Sequence, residues 1–344
     1  MISATPNLWW PRVARTVRRG YLRAMTLRMA AAALVLLLHA TGLAHLVAGP
    51  PLAAQTELSD APVDGVDYRA YHGDGRPAAW ADVVSAGLRA DVLLVGEEHD
   101  DRVGHWYEAE LLARMADEGT RPIVLSLEMF ERDVQYVLDE YLAGLITEEH
   151  FLSSARPWEG YGDRHRPLVE AAKARGLPVV AANAPRRYVN RVTREGPRSL
   201  AALSERARGY LPPLPYPGPS ERYRAQWDTL IAASMHASDA VGAERGYAMN
   251  SNAIHAQALW DASMGHAIAT ALMVHRDAIV VHVAGSFHVE RGTGIPERIA
   301  DYRPGSRVVA VVIAKVDEIG AWSEAEHSGL GDFVVVTRRP RTPG

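Results

Sequence analysis

A chain of 344 residues suffices for one large domain or two small ones, and 48% apolar with 23% charged residues is a globular composition able to bury a core. The absence of cysteine excludes disulfides, thiolate metal sites, c-type haem attachment and a lipid-modified N-terminal cysteine. The formal charge is −4, and without the basic first 54 residues it is −10, from 31 basic and 41 acidic groups, which argues against nucleic acid as a partner.

Residues 1–54 carry six arginines (Arg12, Arg15, Arg18, Arg19, Arg23 and Arg28) and no acid, followed by MAAAALVLLLHATGLAHLVA from Met29 and small residues up to Ala54. Basic, apolar, then small is the order of an export signal. The apolar run of about 20 residues also borders on the length of a membrane span. This segment therefore reads as an export signal cleaved near Ala54, with an uncleaved membrane anchor as the alternative. Either puts the body in the cell envelope, periplasmic or membrane-associated. Residues 55–80 are rich in Asp, Gly and Pro without a sustained period, and read as a connecting arm.

Beyond Trp80, short β-branched or leucine-rich runs alternate with helical periods. The runs are DVLLV (Asp91 to Val95), PIVLSL (Pro122 to Leu127), LPVVAA (Leu177 to Ala182), AIVVHVA (Ala278 to Ala284), RVVAVVIA (Arg307 to Ala314) and DFVVVT (Asp332 to Thr337). Nearly continuous apolar strands indicate a sheet covered on both faces, so the expected class is α/β with a mostly parallel central sheet flanked by helices. A proline-rich break, GYLPPLPYPGPS (Gly209 to Ser220), precedes two long helical stretches, Arg222 to Ala240 and Asn250 to His275. Residues 81–340 are therefore expected to form a single domain with a helical insertion at about 220–275.

In an open parallel sheet, ligands bind at the carboxyl ends of the strands. Glu97, Glu98 and His99 follow the first run, Glu128 the second, Asn183 the third, and His288 the run ending at Ala284. Two of these strand ends share the pattern G-x-x-H, Gly96 to His99 and Gly285 to His288. Two imidazoles with one or two carboxylates suit a first-row divalent metal, or a general base and its partners. Glu97, His99, Glu128 and His288 are the candidate catalytic residues; His99, His105, Glu128 and His288 are the candidate metal ligands. His282, inside its strand, reads as a hydrogen-bonded core histidine.

GEEHDDRVGHWYEAELL, SLEMFERDVQYVLDEYLAG, RPLVEAAKARGLPVVAANAPRRYVNRV, QALWDASMGHAI and HVAGSFHVERGTGIPERI occur in that order from about Asp91 to Ile299. Together they resemble the ChaN-like haem-binding family of the Tiki superfamily, which also includes metal-dependent proteases and erythromycin esterases. The resemblance implies a bacterial protein of haem or iron uptake, with haem held between two subunits of a homodimer and its iron bound by tyrosine. Tyr161 and Tyr188 lie in or beside the matching motifs, and Arg186 and Arg187 are placed to pair with propionates. Family members are commonly lipoproteins, whereas this chain has no cysteine to lipidate, and His165 stands where the family pattern favours an aromatic residue. The expected function is a cell-envelope haem-binding protein of iron uptake. The alternative is a metal-dependent hydrolase in which His99 or Glu97 activates water while Glu128 and His288 orient it or complete the metal's coordination.

Overall fold

The computed structural model describes residues 61–236 and 250–339. The expected export signal or anchor at residues 1–54 lies outside the described residues, as does the expected helix end at Ala240. Seven strands form one sheet: β1 (Tyr68–His72), β2 (Val92–Glu97), β3 (Ile123–Glu131), β4 (Val179–Asn183), β5 (Ile279–Gly285), β6 (Val308–Val316) and β7 (Phe333–Arg338). Their order is β1-β7-β6-β2-β5-β3-β4, with every pairing parallel except β1 against β7. The mostly parallel α/β class read from the sequence is the observed one.

Helices cover both faces because alternate residues of each strand are apolar in both directions. On one face, Leu93, Val95, Leu125 and Leu127 pack beneath α1 (Trp80–Arg89), α2 (Arg102–Glu118), α3 (Gln135–Leu142), α4 (Glu148–Ala155) and α5 (Arg166–Ala174). On the other, Val92, Leu94, Val124 and Val280 meet the long helix α8 (Ala253–Val274) and α9 (Ile295–Tyr302). A further pair, α6 (Arg186–Glu195) and α7 (Glu221–His236), follows β4. The two helices expected as an insertion are present as α7 and α8. Of these, α8 is also a full layer of the core, with Met264, Ile268 and Leu272 buried against the sheet.

The connecting arm expected up to Trp80 needs correction, because Tyr68–His72 adds an antiparallel strand to the sheet edge, with Tyr68 opposite Thr337 and His72 opposite Phe333. Its five residues lie between Asp- and Gly-rich turns, too short a run to show a period, but Tyr68, Ala70 and Tyr71 are buried.

Gly265 fixes the distance between α8 and α9. A Cβ built there would lie 2.4 Å from Arg298 Cβ and 3.1 Å from the Arg298 carbonyl carbon. Alanine favours an isolated helix by about 1 kcal/mol over glycine, but here it must push two helices apart. Gly265→Ala is expected to lower stability by about 1–3 kcal/mol in urea denaturation; a variant at least as stable as the wild type would show that this contact is not tight.

Candidate functional site

The parallel pairing of β2 with β5 sets Gly96 opposite Ala284 and Glu97 opposite Gly285, so the two G-x-x-H segments leave the sheet side by side. A Cβ on Gly96 would stand 3.0 Å from Ser286 Cα, a close approach that only glycine gives without displacement. Strand alternation then divides the polar residues. Glu97 shares the face of Leu93 and Val95, beneath α2 and α5, while Glu128 shares the face of Val124 and Ser126, toward α8.

On the first face Glu97 is the centre. Its side chain is fully buried and touches three imidazoles: His99 Nδ1 at 2.6 Å from Oε1, His105 Nε2 at 3.1 Å from Oε2 and His165 Nε2 at 3.3 Å from Oε2. Burial alone raises a carboxyl pKa, but His105, His165 and His99 outweigh it and hold Glu97 well below the usual carboxylate range. Asp101 caps α2, its Oδ1 accepting from the Val103 amide at 3.0 Å, which starts the helix so that His105 turns inward in its first turn. His165 sits in the turn between Tyr161–Arg164 and α5. Glu108, three residues beyond His105 on the same helix, is also buried, and desolvation together with the charge of Glu97 pushes its pKa far up.

On the second face, His288 Nδ1 lies 2.6 Å from Asp261 Oδ1, and His288 Nε2 lies 3.7 Å from Glu128 Oε1. Glu128 Oε2 accepts a hydrogen bond from the Gly285 amide at 2.8 Å. His282, also buried, contacts the Ser126 hydroxyl at 2.8 Å, and burial with the nearby His288 charge drops its pKa to about 3; it is a core histidine as expected.

His99 joins the two halves. Its ring lies over Gly285, where a Cβ would stand 2.9 Å from His99 Cε1 and 3.0 Å from Nε2, with Glu128 Oε2 at 3.8 Å. The side chain is 48% exposed, and Trp158 meets it edge-on with ring centroids 5.1 Å apart. Burial lowers its affinity for a proton, but the hydrogen bond to Glu97 and the charge of Glu128 outweigh that and raise its pKa. A cleft of about 830 Å³ reaches this region at Glu98 and Ser286, the chain neighbours of His99 and Gly285, and is lined also by Phe287, Leu230, Arg222 and Arg291 among others; the His99 ring itself is not part of its lining.

The structure thus brings Glu97, His99, Glu128 and His288 to one stretch of the sheet edge. It does not gather His99, His105, Glu128 and His288 as one metal-binding set, because His105 faces Glu97 and His165 on the opposite side of the sheet from Glu128 and His288. Tyr161 is 4% exposed, packed edge-on against Phe130 and Phe151, and burial raises its hydroxyl pKa, which disfavours the phenolate that binds iron. Tyr188 is half-buried with the Arg187 guanidinium 4.4 Å above its ring. Arg187 is paired with Asp133 at 2.7 Å, and the Arg186 side chain is exposed at the start of α6. Asn183, the last residue of β4, is buried with its side-chain oxygen unpartnered.

Asp261, Glu108 and His165 were not among the candidates. An acid in the middle of the apolar helix and an acid one turn after His105 are signals visible in the sequence, whereas the convergence of His165 with Glu97 depends on the fold.

Burial opposes the charge on His288, but Asp261 and Glu128 outweigh it and push the pKa up to about 9. A folded pKa above the unfolded value of about 6.5 stabilises the fold fully below that pH, and the contribution fades as pH rises through 9. Asp261→Asn removes the largest stabilising charge, so NMR titration of the His288 ring is expected to shift its midpoint downward by at least 1 pH unit. An unchanged midpoint would show that Asp261 does not set the charge of His288.

The model of the family described as "Haem-binding uptake, Tiki superfamily, ChaN" matches residues 83–299. Among solved structures, the chain is similar to ChaN of Campylobacter jejuni, described for its cofacial heme binding, with a TM-score of 0.59 and 16% identity over 80% of this chain and 98% of that one. At that identity the likeness is one of fold. An erythromycin esterase in its open conformation gives a TM-score of 0.40 at 12% identity, covering 79% of this chain and 83% of that one. Protein RETICULATA-RELATED 5, chloroplastic, of Arabidopsis thaliana is 26% identical over 250 residues, 66% of this chain, and the match spans 31% of that protein's length. The family match runs over more than half of the residues and includes both G-x-x-H strand ends, so this chain belongs to the ChaN haem-binding uptake family of the Tiki superfamily.

Proposed function

We propose that the protein binds haem for iron uptake in the cell envelope, with His99 as the donor to the iron. The observation that carries this reading is the state of His99: a half-exposed imidazole whose Nδ1 is engaged by a buried carboxylate. Ligating histidines are usually held in that way, since the carboxylate fixes the tautomer and leaves Nε2 with its lone pair. Haem iron accepts imidazole or phenolate as an axial ligand, and burial raises the Tyr161 hydroxyl pKa, which disfavours its phenolate. The cleft that begins at Glu98, next to His99 in the chain, suits the rest of the group, with Phe287 and Leu230 as apolar wall and the guanidiniums of Arg222 and Arg291 for the propionates. Bound haem would supply a redox-active iron, and the protein's own contribution is to orient the imidazole through Glu97. A second copy of the chain across the macrocycle belongs to the same proposal, as does export directed by the arginine-rich, apolar first 54 residues.

A hydrolytic reading is favoured by the Asp261, His288 and Glu128 array. A buried imidazolium between two carboxylates can stabilise developing negative charge, and His99 beside it can take a proton from water.

Adding haemin to the purified protein is expected to give a shifted Soret band, with affinity at least tenfold weaker in His99→Ala and nearly unchanged in Tyr161→Phe and Tyr188→Phe. A wild-type spectrum identical to free haemin sinks the haem reading. Haem binding that survives in His99→Ala but not in a tyrosine variant moves the ligand. Turnover of chromogenic esters, abolished by Glu128→Gln, would favour the hydrolase instead.

A further inference from the structure

Beneath the half-exposed imidazole, the second oxygen of Glu97 faces two buried histidines that the haem reading leaves without a task. We propose that Glu97, His105 and His165 form a buried site for one first-row divalent cation, zinc or iron(II). The donors come from three separate segments: the end of β2, the first turn of α2 and the turn before α5. Each offers an atom within 4.8 Å of the others. Glu97 Oε2 lies 3.1 Å from His105 Nε2 and 3.3 Å from His165 Nε2. Ligands bound at about 2.0 Å in a tetrahedron stand roughly 3.3 Å apart, the spacing that Glu97 Oε2 already keeps from each imidazole.

Hydrogen bonding accounts for the group poorly. His105 is 3% exposed, yet neither ring nitrogen makes a hydrogen bond of good geometry, its Nε2 standing 3.1 Å from Glu97 Oε2; Nδ1 of His165, 1% exposed, is also unpartnered. Buried polar groups in such a state are costly unless something else engages them. Charge pairing accounts for it poorly as well. One carboxylate balances one imidazolium, but three imidazoles converge on Glu97, and charging more than one would bury a net positive charge. Neutral imidazoles presenting lone pairs to a shared cation remove both difficulties.

The donor set selects the ion. Two imidazoles and one carboxylate, without thiolate, are the ligands of catalytic zinc and of non-haem iron(II) sites, whereas calcium and magnesium favour oxygen alone. The site is distinct from the sheet-edge array of His99, Glu128 and His288. It lies on the opposite face of the sheet from Glu128 and His288, which allows the two to be separated by mutation.

The experiment uses the full chain without haem, stripped with chelator, reloaded with zinc or, anaerobically, with iron(II), then dialysed and assayed by elemental analysis. About one equivalent is expected in the wild type and in His288→Gln. Affinity is expected to fall roughly a hundredfold or more in His105→Gln and in His165→Gln, with far-UV circular dichroism in chelator confirming that these variants fold. Should they not fold, X-ray absorption of the loaded wild type decides, with two imidazoles and light oxygen donors expected around the metal. The proposal is overturned if the wild type retains neither metal, if absorption shows no imidazole, or if His288→Gln loses the ion while His165→Gln keeps it.

Discussion

A carboxylate without access to water, at the end of the central strand, governs the arrangement around it. Glu97 carries its charge where burial strongly opposes it, and only the imidazoles of His99, His105 and His165 make that charge tolerable. They arrive from three places, so the loop after β2, the start of α2 and the turn before α5 must all reach one point. The abrupt change from apolar strand to GEEHDD is the sequence side of this requirement. Asp101 belongs to it too, because by capping α2 it sets the turn on which His105 and Glu108 stand.

The sheet itself explains why the polar residues form two groups. Both of its faces are sealed by helices, so the charged side chains gather towards the carboxyl ends of the strands, Glu97 as the last residue of β2 and Glu128 within the last four of β3, and they lie in opposite layers. The two glycines of the repeated motif consequently do different work. Gly96 lets β2 pass close to the Ser286 backbone, while Gly285 leaves room for the His99 ring and donates its amide to Glu128. A side chain at position 285 would collide with His99 and part the two groups. The motif is therefore a matched pair of clearances that brings one imidazole across the sheet edge.

Much of this was legible in the sequence, for definite reasons. Six strands appeared as apolar runs because they are buried on both sides, and the residues following those runs identified Glu97, His99, Glu128 and His288 as neighbours, although β2 includes Glu97 and β3 continues past Glu128 to Glu131. Tyr68–His72 was missed because an edge strand of five residues paired with β7 has no period long enough to read. Asp261 was missed because one acid on a 22-residue apolar helix resembles a solvated position until the helix is packed on the sheet. The division of the expected metal ligands into two sets was not legible either, since it follows from which face each strand end presents. Family resemblance named Tyr161 from its motif, but only packing against Phe130 and Phe151 reveals how poorly its hydroxyl is placed to ionise.

Glu97 also ties the two proposed ligands together. One of its oxygens holds His99 Nδ1 and the other faces His105 and His165. A dication on the second oxygen withdraws electron density from the first, which then accepts the His99 proton less strongly and leaves the imidazole a weaker donor to iron. Filling the buried site should therefore weaken haem binding through His99, and by thermodynamic reciprocity haem should weaken the buried ion to the same factor. No movement of the backbone is needed for such coupling, because both ligands draw on the charge of one carboxylate. Histidines around Glu97 fit both proposals, because an arginine or lysine would fix a positive charge beside it and leave no lone pair for either ligand to use.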